Sequence, residues 1–236
     1  MVTWGTKNRT YGKRSAARRI QKAWRRKRGQ KDRIKTAGDV RKAVQATAPS
    51  QGRIKDISVS LTTQASVIES ISEIQFNNDV PAQYQRSSKK ISVGSYRFRG
   101  LLNVGDRTNL VRLLVVRDKN QDDAVFSPDD CFFTDGNVTP QDVYAQINTR
   151  NVECIYDKLW NLQDTTESVP ATRVQSAFVE FNVPIRKHLT YNQTGNDDTI
   201  LPRNMQHWYL IGVSDSTILP NPSLDGNSVT WFKNIN

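Results

Sequence analysis

Two cysteines, two histidines and two methionines in 236 residues leave little material for metal, redox or thiol chemistry. Cys131 and Cys154 are expected to be free thiols in a reducing compartment, filling space as small apolar groups. His188 and His207 stand apart, with no His-Glu-x-x-His and no cysteine pair near them. No Gly-rich phosphate loop and no Gly-x-Ser-x-Gly occurs. The expectation is therefore no catalytic residue, no metal, no cofactor and no enzyme. No apolar run is long enough for a membrane span. No apolar stretch follows the N-terminal charges, so the start does not read as a secretory signal. The sequons at Asn8, Asn137 and Asn192 are then chance matches.

Acid is what the first 35 residues lack. Asp32 stands alone there against Lys7, Arg9, Lys13, Arg14, Arg18, Arg19, Lys22, Arg25, Arg26, Lys27, Arg28, Lys31, Arg33 and Lys35. Through residue 55 the tally is 18 basic to 2 acidic, a net +16, while residues 56–236 carry 16 basic and 21 acidic, a net −5. A basic arm on a mildly acidic body points to a polyanion. Arg and Lys at this density neutralise phosphates and release counterions, so binding is expected to be salt-sensitive and indifferent to sequence. Trp4, Tyr11 and Trp24 could stack on unpaired bases. A solubilising tail is the bland alternative, but such tails are seldom this rich in Arg.

Residues 1–14 read as disordered. Ala16, Ile20, Ala23 and Trp24 fall on one helical stripe in 15–28, where crowded positive charge allows a helix only beside a neutralising anion. A second short helix is possible through Val40, Ala43 and Val44, and the Pro49–Gly52 stretch ends the arm. Lys13, Arg14, Arg18, Arg19 and the Arg25–Arg28 cluster also fit a nuclear import signal, an unspecific match that any nucleic-acid arm would supply. Ile20, Gln21 and Arg25 resemble the start of a calmodulin-binding motif, but Arg26 stands where that motif has glycine. A transit peptide would not need the adjacent charges of 24–28.

From Ile54 the period changes to two. Ile57, Val59 and Leu61 alternate with polar residues, as in a half-buried strand. The stretch 67–76 fits a short helix or a strand. Further strands are expected over 91–104, 110–117, 153–162, 177–185, 208–213 and 229–232. The run 110–117 is nearly all apolar, so it should be central and covered on both faces. Arg112 inside it must snorkel, pair with an acid or face a neighbouring subunit. Asp122–Asp123, Asp129–Asp130 and Asp197–Asp198 read as solvated turn residues, with calcium between subunits as their other use. About eight strands joined by long polar connections predict an all-β sandwich with Greek-key or jelly-roll crossings. The arm is drawn at 1–53 and the body at 54–236.

Several stretches resemble a known family. They are Arg86–Val93, Arg112–Lys119, Tyr156–Lys158 and Trp208–Ser216, in that order behind a basic arm. The pattern is similar to capsid proteins of small circular, Rep-encoding single-stranded DNA viruses (circovirus-like), in which a basic "R-x-G-x-K-I" strand start precedes "R-x-x-x-V-x-D". Ser88 replaces the usual glycine. The resemblance implies a single eight-stranded jelly roll, sixty copies in a T=1 icosahedral shell, and an arm facing the genome. Sixteen charges on sixty such arms would give on the order of a thousand positive charges, about half the phosphates of a genome of roughly two thousand nucleotides. The partners implied are other copies of the chain, a single-stranded genome and host nuclear import receptors, with no membrane. The locations implied are the virion and, during assembly, the host nucleus. Two alternatives stay open: a coat protein of a small RNA virus, and a non-capsid β-sandwich nucleic-acid-binding protein.

Overall fold

A computed structural model describes residues 50–76, 85–106, 108–120, 126–133, 143–163, 176–192, 201–204 and 206–235. All of the arm residues named above as binding or import candidates lie outside that set. Eight strands account for the architecture: β1 (Gln51–Ser60), β2 (Ser66–Ser70), β3 (Lys90–Asn103), β4 (Thr108–Asp118), β5 (Val152–Gln163), β6 (Ser176–Thr190), β7 (Trp208–Ser214) and β8 (Ser223–Ile235). They form two four-stranded sheets, with strand orders β1-β8-β3-β6 and β2-β7-β4-β5. Every pairing of these strands is antiparallel. Consecutive strands mostly lie in different sheets, so the chain crosses the sandwich repeatedly, and the result is a jelly roll.

The expected strands are present, with shifted limits. β1 begins at Gln51, where it pairs with Phe232, earlier than the alternation that becomes legible at Ile54. In 67–76 only the first part is strand. The chain then turns, and Phe76 makes an isolated parallel bridge to Arg86. The alternation in β3 changes phase. Ile91 and Val93 point inward, the register shifts between Val93 and Ser95, and Tyr96, Phe98 and Leu102 then point inward. That bulge turns Leu101, an apolar member of the expected strand, outward to solvent.

The main core lies between the sheets. Val111, Leu113 and Val115 of β4 meet Tyr96 and Phe98 of β3, Phe181 of β6 and Phe232 of β8. Phe181 stacks on Phe98 at 5.6 Å and on Tyr156 at 4.2 Å. Gly100 and Gly226 face each other across β3 and β8. A Cβ on Gly226 would lie 2.3 Å from the Arg99 carbonyl oxygen, so only glycine permits this approach of the two strands. A second core lies on the other side of β4. Leu114, Val116, Ile211 and Val213 point away from the sandwich and are covered by Cys131, Phe132 and Val143 from the β4–β5 connection. The central strand is thus covered on both faces, as its apolar run requires.

Candidate nucleic-acid and assembly surfaces

Three features of the body bear on function: a clamped cover on one sheet, an internal tie of charges, and a bare face on the other sheet.

The cover is fixed by backbone and by one arginine. A 3-10 turn over Pro128–Cys131 leads into an antiparallel bridge between Phe132 and Ile147. The Phe133 amide donates to the Gln146 carbonyl at 2.9 Å, and the Asn148 amide donates to the Cys131 carbonyl at 2.7 Å. Phe126 stacks on Tyr209 of β7 at 4.3 Å. Arg112 binds across the seam. Its Nε and Nη2 donate to the two carboxylate oxygens of Asp157 on β5, each at 2.8 Å. Its Nη1 donates to the carbonyls of Val143 and Ala145 at 3.1 and 2.7 Å. Of the three roles open to Arg112 in the sequence, it takes the acid pair, and it uses its remaining donors to pin the cover. Burial pushes the Cys131 thiol far above its ordinary range and the Cys154 thiol up to about 11. Both are free cysteines, Cys131 buried and Cys154 half-buried.

The charged tie joins the two sheets. Buried Glu69 on β2 accepts from Arg53 of β1 at 3.2 Å and from the Tyr96 hydroxyl of β3 at 2.7 Å. Burial first, and the Glu69 carboxylate second, raise the Tyr96 phenol well above its usual value. Arg86, a basic strand start in the sequence pattern, is wholly buried. Its guanidinium stands 4.0 Å from the Tyr191 ring and 5.0 Å from the Phe76 ring, and Nε donates to the Ile74 carbonyl at 2.9 Å. Desolvation pulls its pKa down. Its position makes Arg86 a structural cation, and its neighbours in sequence carried no sign of that.

The outer face of the β1-β8-β3-β6 sheet has no such cover among the described residues. Register places its outward side chains in rows. One row holds Ile54, Val229, Arg97 and Asn182; the next holds Asp56, Asn227, Arg99 and Glu180; the third holds Ser58, Asp225, Leu101 and Phe178. Ile54 is 61% exposed, Phe178 58%, Leu101 44% and Trp231 42%. With Gly100 and Gly226 these side chains line one open groove. Arg97 and Arg99 both pair with Glu180, which the hydrogen bond from Arg97 holds below the ordinary carboxylate value. The strands of this sheet carry eight basic and three acidic residues, a net +5; those of the other sheet carry three basic and four acidic.

The histidines are not brought together. His207 meets the Pro202 carbonyl at 2.8 Å, while the His188 backbone carbonyl accepts from Asn204. Among the described residues no group of three His, Cys, Asp or Glu side chains is placed to hold a metal. No helix among them is long and apolar enough to cross a membrane. Asp129 and Asp130 lie in the 3-10 turn; the other two acidic pairs fall outside the described residues.

No protein-family model matches the chain, and no curated protein sequence matches it. Among solved structures the chain is similar to one titled Desmodium yellow mottle tymovirus, at a TM-score of 0.35 and 11% identity, over 79% of this chain and 87% of that one.

Proposed function

We propose that this protein is a viral capsid subunit: residues 54–236 assemble as the shell-forming body, and residues 1–53 package single-stranded DNA. The observation that carries the reading is the joining of two parts. Residues 1–50, with 16 basic and 2 acidic side chains and a net +14, run directly into the edge strand of an eight-stranded jelly roll whose own residues 51–236 carry a net −3. Jelly rolls serve several functions, so the fold alone does not decide. A polybasic arm on such a body suits a shell that condenses a polyanion. The resemblance of Arg86–Val93 and Arg112–Lys119 to circovirus-like capsid proteins favours a DNA genome and sixty copies.

The mechanism is electrostatic condensation coupled to assembly. Phosphates neutralise Lys7, Arg9, Lys13, Arg14, Arg18, Arg19, Lys22, the Arg25–Arg28 cluster, Lys31, Arg33 and Lys35, and Trp24 stacks on bases. Neutralised arms no longer repel one another, so bodies can meet. The basic clusters at 13–14, 18–19 and 25–28 serve import receptors before assembly in the host nucleus. The product is the virion.

Negatively stained full-length protein should show closed shells, and nucleic acid extracted from them should be degraded by DNase. Protein that stays monomeric in size-exclusion chromatography, with and without oligonucleotide, overturns the capsid reading. Shells whose extracted nucleic acid resists DNase and yields to RNase replace DNA with RNA.

A further inference from the structure

We propose that the outer face of the β1-β8-β3-β6 sheet is a second site for single-stranded nucleic acid, built on the body and separate in sequence from the basic arm. It rests on the packaging reading above and names where on the body the packaged strand would lie.

Charge segregation is the first support. The four strands of this sheet hold a net +5, while all other residues between 51 and 236 hold ten basic and eighteen acidic, a net −8. The body is acidic as a whole and basic on this sheet. Of its eight cations Arg53 turns inward to Glu69, and Lys55 and Lys187 share the inward side of β1 and β6 with buried Ile57 and Ile185. Lys90, Arg97, Arg99, Arg186 and Lys233 are the five outside that set, against Asp56, Glu180 and Asp225, a net +2 on the outer face. The acids on the same face are occupied. Glu180 is shared by Arg97 and Arg99, so one carboxylate meets two guanidinium groups. Asp225 accepts from Ser58 at 2.6 Å and from Asn103 at 2.9 Å, and Asp56 accepts from Asn227. A phosphate replacing Glu180 beside Arg97 and Arg99 would keep charge-assisted hydrogen bonds to both.

Exposed aromatic rings are the second support. Trp231 and Phe178 stand on this face, with Arg97 and Arg99 between them in the register. By strand geometry of ~3.3 Å per residue and ~4.8 Å per strand the two rings are roughly 20 Å apart, a reach for a few nucleotides. Arg99 already lies 5.8 Å from the Phe178 ring, so the platform has a cation beside it. The Trp231 ring lies over Gly52, where an added Cβ would come 3.2 Å from Trp231 Cζ3, so the glycine leaves the ring its room. Interleaved rings and arginines on an open sheet suit unpaired bases, which offer a π-face whatever their identity. A duplex would bury its bases from these rings. A second copy of the chain is the other candidate, but a two-fold contact through this face would bring its cations against themselves.

The test uses full-length protein and a short bromodeoxyuridine-substituted single strand, with a bromouridine RNA strand and a DNA duplex beside it. After ultraviolet irradiation, peptide mapping should place cross-links at Trp231 and Phe178 with either single strand and not with duplex. The double variant Arg97→Gln/Arg99→Gln should lose most cross-linking at both rings, keep that in the arm, and lower the slope of log affinity against log salt by roughly one. Both substitutions are at exposed positions, and Phe178→Ser checks the ring alone. Cross-links confined to residues 1–49 overturn the second site and leave packaging by the arm standing. Absence of all binding and cross-linking overturns both. Capture of Phe178→Cys by Phe178→Cys of a second copy, through a bifunctional maleimide, assigns the face to protein and overturns the proposal.

Discussion

The two sheets of this jelly roll finish their outward faces in opposite ways. The β2-β7-β4-β5 sheet lays Leu114, Val116, Ile211 and Val213 outward and covers them with the chain's own β4–β5 connection. The β1-β8-β3-β6 sheet lays Ile54, Leu101, Phe178 and Trp231 outward and leaves them in an open groove among arginines. Both faces break the simple rule that one side of an antiparallel sheet is apolar and the other polar. The covered face holds one charged pair, Arg112 with Asp157, whose remaining donors are spent on the cover itself, which suits permanent burial. The bare face mixes rings, cations and satisfied acids, which suits an occupant that arrives and brings negative charge. An exposed apolar patch of this kind marks an interaction site.

The sharpest way to break this comparison is to cut into the covered face. Ile211→Ala should cost about 2–5 kcal/mol in urea unfolding, because a fully buried side chain leaves a cavity. A loss like that of Leu101→Ala, within about 0.5 kcal/mol for an exposed position, would show the cover to be loose. Arg112→Leu comes next. It removes a bidentate pair and two bonds to the cover, at a cost of about 2–4 kcal/mol. Hydrogen exchange at 143–152 should rise with it, and Arg26→Ala should leave stability unchanged.

Alkaline unfolding sharpens the same contrast more gently. Burial raises Tyr209, under the cover, to about 12. A phenol raised in the folded state adds stability that is full below its unfolded value of about 10 and is lost as pH climbs through the folded value. Stability should therefore fall between about pH 10 and 12, and Tyr209→Phe should flatten that fall. The smallest effect on the body is expected from deleting residues 1–35. Circular dichroism should keep its β signature while affinity for oligonucleotide and its salt dependence drop. Loss of that signature would place the arm in the fold of the body.

Period-two alternation made the strands legible, since each needs one face buried. The apolar run at 110–117 announced a strand covered twice. Other features were out of reach. Leu101 followed Tyr96 and Phe98 in one apolar run, and only the bulge after Val93 sent it outward. Arg86 entered only as part of a basic strand start, and nothing local tells that Tyr191 and Phe76 enclose it. The β4–β5 connection read as a polar loop, because Phe126, Phe132 and Val143 are too scattered to show a period. The bare face escaped notice because its members come from four strands and meet only through register.

The amino-acid order by itself determined the segregation of charge along the chain, the strand periodicity and the scarcity of catalytic side chains. These depend on composition and on neighbours a few residues apart, so physics acts on them without a fold. Tertiary structure alone decided which sheet each strand joined, that Arg112 would clamp Val143 and Ala145, and that Arg97, Arg99, Phe178 and Trp231 would share a face. Those outcomes rest on hydrogen bonding and packing between residues far apart in sequence, and a single bulge can reverse which side of a sheet they occupy.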